Sequence, residues 1–375
     1  MKFEAILGRI FISTISIILT FLWVDYISIR FLPTRAPIEQ RFPVEVFRKP
    51  QPYTMFGGIP NAEFQYEDES TDRQSGKLNG LGYRGKEPVL PKPADEYRVF
   101  MLGGSTVFLG EPPIPALLEE EFKRHGLQHV NVYNFGVISS VSSMELARIV
   151  FEISELEPDL IVFYNGGNDI LGPYRHDPRP GYPFNFLVYE NNPLLESNVT
   201  SYPAFALWAY GSNIARYFFP AYFLDQFATF EQLRAESRWG SDEWKDEIAS
   251  IYVNNLMKAD KISHSFDAEF IAFAQPLLYF KDHLAPEEEE LGGNHERRDY
   301  CLDVRQRIHA KIKNADLNPS PKIVDLSDIY DKTSHWVFTD AIHIRQESAS
   351  VIVQEMYKNI THHFGSQLTA AQPRE

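Results

Sequence analysis

The sequence predicts an α/β fold: a three-layer sandwich around a five-stranded, mostly parallel sheet, with an apolar N-terminal helix and a helical insertion. Three observations predict it. Short runs rich in β-branched and aromatic residues alternate along the chain with segments whose apolar residues recur every three or four positions, the signatures of strand and amphipathic helix. Such alternation implies crossovers between parallel strands, with helices on both faces of the sheet. The 375 residues, 44% of them hydrophobic, supply a sizeable core and suit one large α/β unit with additions.

In chain order, the first element is the charge-free run Ile10 to Val24, IFISTISIILTFLWV. Alone it falls short of the ~20 residues of a membrane span. Continued through Ile27, Ile29, Phe31 and Leu32 it reaches that length and takes in Asp25. No small-x-small cleavage site follows, so residues 1–32 are expected to be an uncleaved, single-pass membrane anchor. Arg30, Arg35 and Arg41 beyond the run outnumber Lys2 and Arg9 before it, which counts against export. An extracytoplasmic domain is still the expectation, because a tether suits work on envelope or secreted material. Residues 33–95 read as linker and embellishment. Pro33, Pro37, Pro43, Pro50 and Pro52 suit a semi-rigid spacer, and in LNGLGYRGKEP the glycines Gly80, Gly82 and Gly85 mark turns around Tyr83 and Arg84. Arg84 is expected to pin this segment to a carboxylate.

Residues 96–364 hold the sandwich. YRVFML is the first strand, followed by a helix with Ile114, Leu117, Leu118 and Phe122 on one face behind Pro112 and Pro113. VNVYNF is the second strand, and Leu146, Val150 and Ile153 mark the inner face of the next helix. LIVFY, EFIAFAQP and KIVDLS are strands three to five, and Val353, Tyr357, Ile360 and Phe364 share one face of a closing helix. Residues 365–375 are expected to be a disordered tail. Between the third and fourth strands, about 172–265, lies an insertion of a length that is usually functional or a small subdomain. Its Trp208, Tyr210, Trp239 and Trp244 either stack on sugar rings or fill a helical cap, and the cap is favoured. Entry of Ala204 to Phe223 into the bilayer is disfavoured by Arg216 and Pro220.

Four short blocks carry chemistry. Ser105 follows a glycine turn in VFMLGGSTVFLG, and Asp340 and His343 stand three apart in FTDAIH. A serine hydroxyl is a poor nucleophile until a base takes its proton and a carboxylate orients that base. NVYNFGV ends a strand at Gly136, and DLIVFYNGGNDIL places Gly166, Gly167, Asn168 and Asp169 after another. Glycine N–H groups and asparagine amides suit stabilisation of the charge that develops on a carbonyl oxygen during acyl transfer. In open α/β sheets ligands bind at the C-terminal ends of the strands, where all of these blocks fall.

Taken in order, the blocks resemble the SGNH (GDSL-type) hydrolases, over roughly residues 79 to 364 with a long interruption. The resemblance implies a flavodoxin-like sheet, Ser105 as nucleophile, His343 as base and Asp340 as its orienter. It also implies an oxyanion hole made by the Ser105 N–H, the Gly136 N–H and the Asn168 side chain. Gly104 stands where the family carries its eponymous aspartate, which points to a membrane-anchored Gly-Gly-Ser-Thr subgroup. The implied activity is hydrolysis of a carboxylic ester, with short acyl groups on a polysaccharide or other envelope glycan as expected substrate. An O-acyltransferase using the same acyl-enzyme, and a glycan-binding scaffold with a relict site, are the alternatives.

Composition narrows the partners. A formal net charge of -15 and the lack of a basic stripe argue against nucleic acid. Neither a cofactor nor a metal is expected: His295 and Glu296 lack a second histidine at the zinc-motif spacing, and His362 and His363 read as a solvated helix face. The lone Cys301 excludes an intrachain disulfide and reads as buried. Glu287 to Glu290 read as a solvated helix start. Gln275, Pro276 and Lys281 lie at the expected site edge as weak candidates for substrate contact, and Asp169 is expected to fix its loop.

Overall fold

Tyr97–Gly103, Val130–Gly136, Leu160–Asn165, Glu269–Ala274 and Lys322–Asp325 pair in parallel into one five-stranded sheet. The computed structural model describes residues 2–28, 30–32, 47–68, 71–183, 186, 212–218, 231–314 and 322–370. Four shorter strands precede the sheet in the chain: β1 (Arg48–Gln51), β2 (Met55–Gly58), β3 (Glu63–Asp68) and β4 (Thr71–Lys77). The sheet strands are therefore β5 to β9, in the spatial order β6-β5-β7-β8-β9. The chain moves from β5 outward to β6 and then crosses to the other side for β7, which opens a crevice at the C-terminal end of β5, the place where such sheets bind ligands.

Helices cover both faces, so the strands are apolar throughout rather than alternating. Within β5, Phe100 and Leu102 enter one core layer and Val99 and Met101 the other, as the two-residue period requires. The helices in chain order are α1 (Lys2–Ser28), α2 (Ser105–Phe108), α3 (Ile114–Arg124), α4 (Ser142–Arg148), α5 (Gly167–Arg175), α6 (Asn213–Phe218), α7 (Asp242–His264), α8 (Pro286–Gly292), α9 (His295–Asn314) and α10 (Ala349–Ala370). Residues of α4, α7 and α9 fill the layer with Phe100, and residues of α3 and α10 fill the layer with Val99.

Several expectations shift. Val150 was to face the core, yet it is 43% exposed and Ile149 is buried instead. The inner face of helix α4 runs through Glu145, Arg148 and Ile149 at α-helical spacing, and a π-helical turn follows at Ile149–Ile153. The closing helix continues past residue 364 to Ala370, because buried Leu368 extends the apolar stripe of Ile360 and Phe364. Part of the expected insertion is a layer of the sandwich: α7 is the crossover from β7 to β8, with Trp244, Ile248, Tyr252 and Leu256 in the core. Trp244 and Trp239 pack with Tyr174 and Tyr300 as apolar filling, whereas Trp208 and Tyr210 lie outside the described residues. Residues 47–78 are two antiparallel hairpins, not a spacer, and Pro50 sits in β1 paired with Phe56. Pro33, Pro37 and Pro43 lie outside the described residues.

By internal packing the chain divides into two units, Met1–Val44 with Asn185–Ala235, and Glu45–Phe184 with Glu236–Glu375. In the first, α1 contains a stretch, Phe11–Ser28, long and apolar enough to cross a membrane by length and composition. The second holds the sandwich and both hairpins.

Candidate active site

Gly103 ends β5 with no room for a side chain: a Cβ there would lie 2.3 Å from Tyr164 O and 2.5 Å from Val107 Cγ2. The chain turns at once into α2, which presents Ser105, buried, at the crevice. A loop from 335 to 345 brings the other two groups. Phe338 and Ile344 bridge antiparallel across it, Thr339 N donates to His343 O at 2.9 Å, and Arg345 N donates to Val337 O at 2.7 Å. His343 Nε2 lies 2.7 Å from Ser105 Oγ, and His343 Nδ1 lies 2.7 Å from Asp340 Oδ2. The other oxygen, Asp340 Oδ1, accepts the N–H groups of Ile342 and His343, both at 2.7 Å. Burial pushes the Asp340 carboxyl upward, but His343 and these two N–H groups together hold it well below the usual carboxylate range. An ionised carboxylate therefore faces Nδ1, which favours the tautomer with its proton on Nδ1 and a lone pair on Nε2 toward Ser105 Oγ.

Helix α5 begins on Gly166, whose φ of 106° is a left-handed value that favours glycine. Asn168, in its first turn, donates Nδ2 to Ser140 O at 2.8 Å and sits so close to Gly104 that a Cβ there would lie 2.5 Å from Nδ2. The glycine at 104, where the resemblance leads one to expect aspartate, is what lets the amide approach the nucleophile turn. Asp169 points the other way, into the interior, where it accepts Ser142 N at 3.1 Å and the Ser142 hydroxyl. Burial raises its pKa to about 6. Beneath it, Glu145 is pushed up to about 8, first by burial and then by Asp169, and takes a hydrogen bond from Asn165 Nδ2. Buried Arg148 donates to Ser140 Oγ at 3.0 Å and to Phe56 O at 2.8 Å, tying the loop after β6 to the first hairpin.

One expected donor is placed elsewhere. The N–H of Gly136 is spent on Asn134 Oδ1 at 2.9 Å, inside the last pair of the β5–β6 register and under α2. Three residues on, Ser139 adopts a φ of 65° and lines the crevice beside Ser105 and Asn168. Its N–H has no acceptor among the described residues, which makes it a candidate donor at the crevice. The sequence gives little sign of this, since a non-glycine residue seldom takes this backbone conformation. Gln275 and Lys281 also leave the list of contacts. Gln275 is buried behind Gly167, whose Cβ would meet it at 2.5 Å, and Lys281 is buried in an ion pair with Glu288. Glu288 is thus no solvated acid: Oε1 accepts Val337 N and Phe338 N, both at 2.8 Å, and so holds the His343 loop.

The pocket over Ser105 has a volume of about 150 Å³ and is walled by Tyr66, Ile138, Leu171, His176 and Tyr182 besides the triad. Tyr66 comes from the second hairpin, which packs through Phe64 against Phe108 of α2. Arg84 fastens the following segment to the same helix, donating to Phe108 O at 2.9 Å and pairing with Glu111 at 2.8 Å. Burial, with Arg175 adjacent, lowers the His176 pKa to about 3, so this imidazole is neutral between Arg175 and Asp177, which also line the pocket. Burial likewise raises the Cys301 thiol to about 12. Among the described residues no cluster of three or more His, Cys, Asp or Glu is placed to hold a metal ion.

No protein-family model matches the chain, and no curated protein matches it. Among solved structures it is similar to a gut microbial diltiazem-metabolizing enzyme at 13% identity and a TM-score of 0.42, covering 73% of this chain and 48% of that one. The chain thus spans about half the length of that protein. It is also similar to a GDSL-like lipase from Bacteroides thetaiotaomicron, at 12% identity, a TM-score of 0.40 and coverage of 73% and 93%. A variant of an acetyl xylan esterase from Geobacillus stearothermophilus stands at 10% identity and a TM-score of 0.39, with coverage of 70% and 94%.

Proposed function

We propose that the chain is a membrane-anchored serine esterase of the SGNH type. The observation that carries this reading is the relay of two 2.7 Å contacts, Ser105 Oγ to His343 Nε2 and His343 Nδ1 to Asp340. Ser105 Oγ attacks an ester carbonyl carbon as its proton passes to His343 Nε2. Asp340 stabilises the imidazolium that forms. The oxyanion takes hydrogen bonds from the N–H groups of Ser105 and Ser139 and from the second amide hydrogen of Asn168. Collapse breaks the bond to the alcohol, which leaves with the proton from His343. Water then attacks the acyl-enzyme by the same steps and regenerates Ser105.

The small pocket favours a short acyl group such as acetyl, and its open rim of Tyr66 and Tyr182 suits a sugar ring as the alcohol side. An acylated polysaccharide or envelope glycan is therefore the proposed substrate, met outside the cytoplasm by a domain tethered through α1. Ser105→Ala should lower kcat/KM on a short-chain nitrophenyl ester by roughly a thousandfold or more, by the scale known for triads. It should also abolish labelling by a fluorophosphonate while leaving the melting temperature in place. Equal turnover by the two proteins refutes the assignment. Protection of the sandwich from protease added to cells stripped of any outer envelope, with the inner membrane intact, refutes the extracytoplasmic placement.

A further inference from the structure

Asp25 is the one charged residue of the Phe11–Ser28 stretch of α1, and the structure gives it partners from far along the chain. Its Oδ1 accepts the Ser212 hydroxyl at 2.7 Å and the Ile214 N–H at 2.8 Å. Ser212 Oγ in turn accepts Ala215 N at 3.1 Å, so Ser212 and Asp25 together satisfy the first amides of α6. Asn213 Nδ2 donates to Ser28 Oγ at 3.0 Å and to Leu32 O at 3.2 Å. Asp25 and Ser28 lie on one face of the α1 end at a spacing of three, the repeat that brings helical residues into line, and Leu32 N donates to Ser28 O at 2.7 Å just beyond it. Ser28, Ser212, Asn213 and Ala215 are buried and Asp25 is half-buried, with its Oδ1 paired.

An ionisable residue in a membrane-spanning helix is costly and is found paired. The pairing here recruits a segment of the 185–235 stretch to the anchor, with apolar rings beside it. Tyr217 and Phe218, at the far end of α6, are 45% and 65% exposed and stack edge to face with each other at 5.2 Å. Trp23, Tyr26 and Phe31 at the end of the anchor are exposed as well. Aromatic rings gathered at one end of a span are the composition of a membrane–water interface. The Phe11–Ser28 stretch, at about 1.5 Å per residue, is roughly 27 Å long, close to the hydrocarbon thickness of a bilayer, so this end falls at the headgroup boundary.

We propose that residues 212–218 are a second lipid-contacting element, locked to the anchor by Asp25, with Tyr217 and Phe218 seated in the headgroup–acyl boundary. The proposal rests on α1 crossing a bilayer and is independent of the esterase reading. Its partner is a lipid surface, recognised by ring burial rather than by charge.

The test uses the full chain in phosphatidylcholine vesicles. Cys301 is buried, so an environment-sensitive thiol dye reports from an introduced cysteine: Tyr217→Cys, separately Phe218→Cys, and Val351→Cys on exposed α10 as reference. Lipids carrying a nitroxide just below the headgroup should dim the dye at 217 and at 218 by roughly twofold or more, and leave the dye at 351 unchanged. Adding Asp25→Ala should abolish dimming at 217 while the chain still floats with the vesicles, and Asp25→Asn, which keeps the acceptor oxygen, should restore it. Floating chains whose 217 and 218 dyes behave like the 351 dye overturn the proposal alone. Dimming that survives Asp25→Ala overturns the locking role. Chains that fail to float overturn the anchor and the proposal together.

Discussion

Asn168 has two amide hydrogens and, among the described residues, one acceptor, Ser140 O at 2.8 Å. The first bond fixes the plane of the amide, and the second hydrogen is left for the substrate. Asn168→Ala should therefore leave KM near its original value and lower kcat by roughly a hundredfold to a thousandfold, the range for losing one oxyanion donor. An unchanged kcat in steady-state assays removes Asn168 from the mechanism. At this scale the sequence reveals the residues whose chemistry admits few substitutes. Ser105, His343, Asp340 and Asn168 are legible because the proposed roles of nucleophile, base, orienter and amide donor each require a particular side chain. Backbone donors are not legible in the same way, since any residue has an N–H. Gly136 looked right by type, but its amide is taken by Asn134, and the proposed replacement, Ser139, stands out only through a φ of 65°.

Among the elements, the loop carrying Asp340 and His343 depends on a pair that does no chemistry. Lys281 and Glu288 are both 0% exposed, and Lys281 Nζ also donates to His335 O at 2.7 Å. Burial works against the Glu288 charge, but the lysine and three backbone amides hold its carboxyl below the usual range. Removing one partner of a buried pair strands the other, at a cost of about 3–5 kcal/mol. Glu288→Ala should show that loss in denaturant unfolding together with a fall in kcat, because Val337 N and Phe338 N lose their acceptor. Full activity in a folded Glu288→Ala protein shows that the loop needs no such support. From sequence the four glutamates at 287–290 look alike, and only the fold decides which one turns inward. Helix α4 teaches the same lesson. The apolar spacing of Leu146, Val150 and Ile153 places Val150 inside, whereas the helix turns its buried polar residues Glu145 and Arg148 inward and Ile149 with them.

For the whole molecule, the buried acids behind the site set a pH dependence of stability. Glu145 rises from 4.5 to about 8 on folding, so between those values the folded state holds a proton that the unfolded chain has released. Stability from this group is complete below pH 4.5 and is lost as pH rises toward 8. Asp169, raised from 3.8 to about 6, acts in the same direction over that lower window, whereas Asp340, held low, contributes stability that is lost in acid. Glu145→Gln keeps an acceptor for Asn165 and removes the titration. Its melting temperature relative to the parent should therefore climb steadily from pH 5 to pH 8, and a difference that stays flat across this range overturns the assignment of Glu145 as a buried neutral acid. The sequence by itself determined the parallel α/β sandwich, the long apolar N-terminal stretch and the types of residue at the candidate site, because periodicity and side-chain chemistry are local properties. Only the tertiary structure decided that the Gly136 amide is taken, which glutamate is buried, that α7 is a sandwich layer and that Asp25 meets Ser212. Those outcomes depend on groups as far as 238 positions apart, as Ser105 and His343 are, competing for the same space and the same hydrogen bonds.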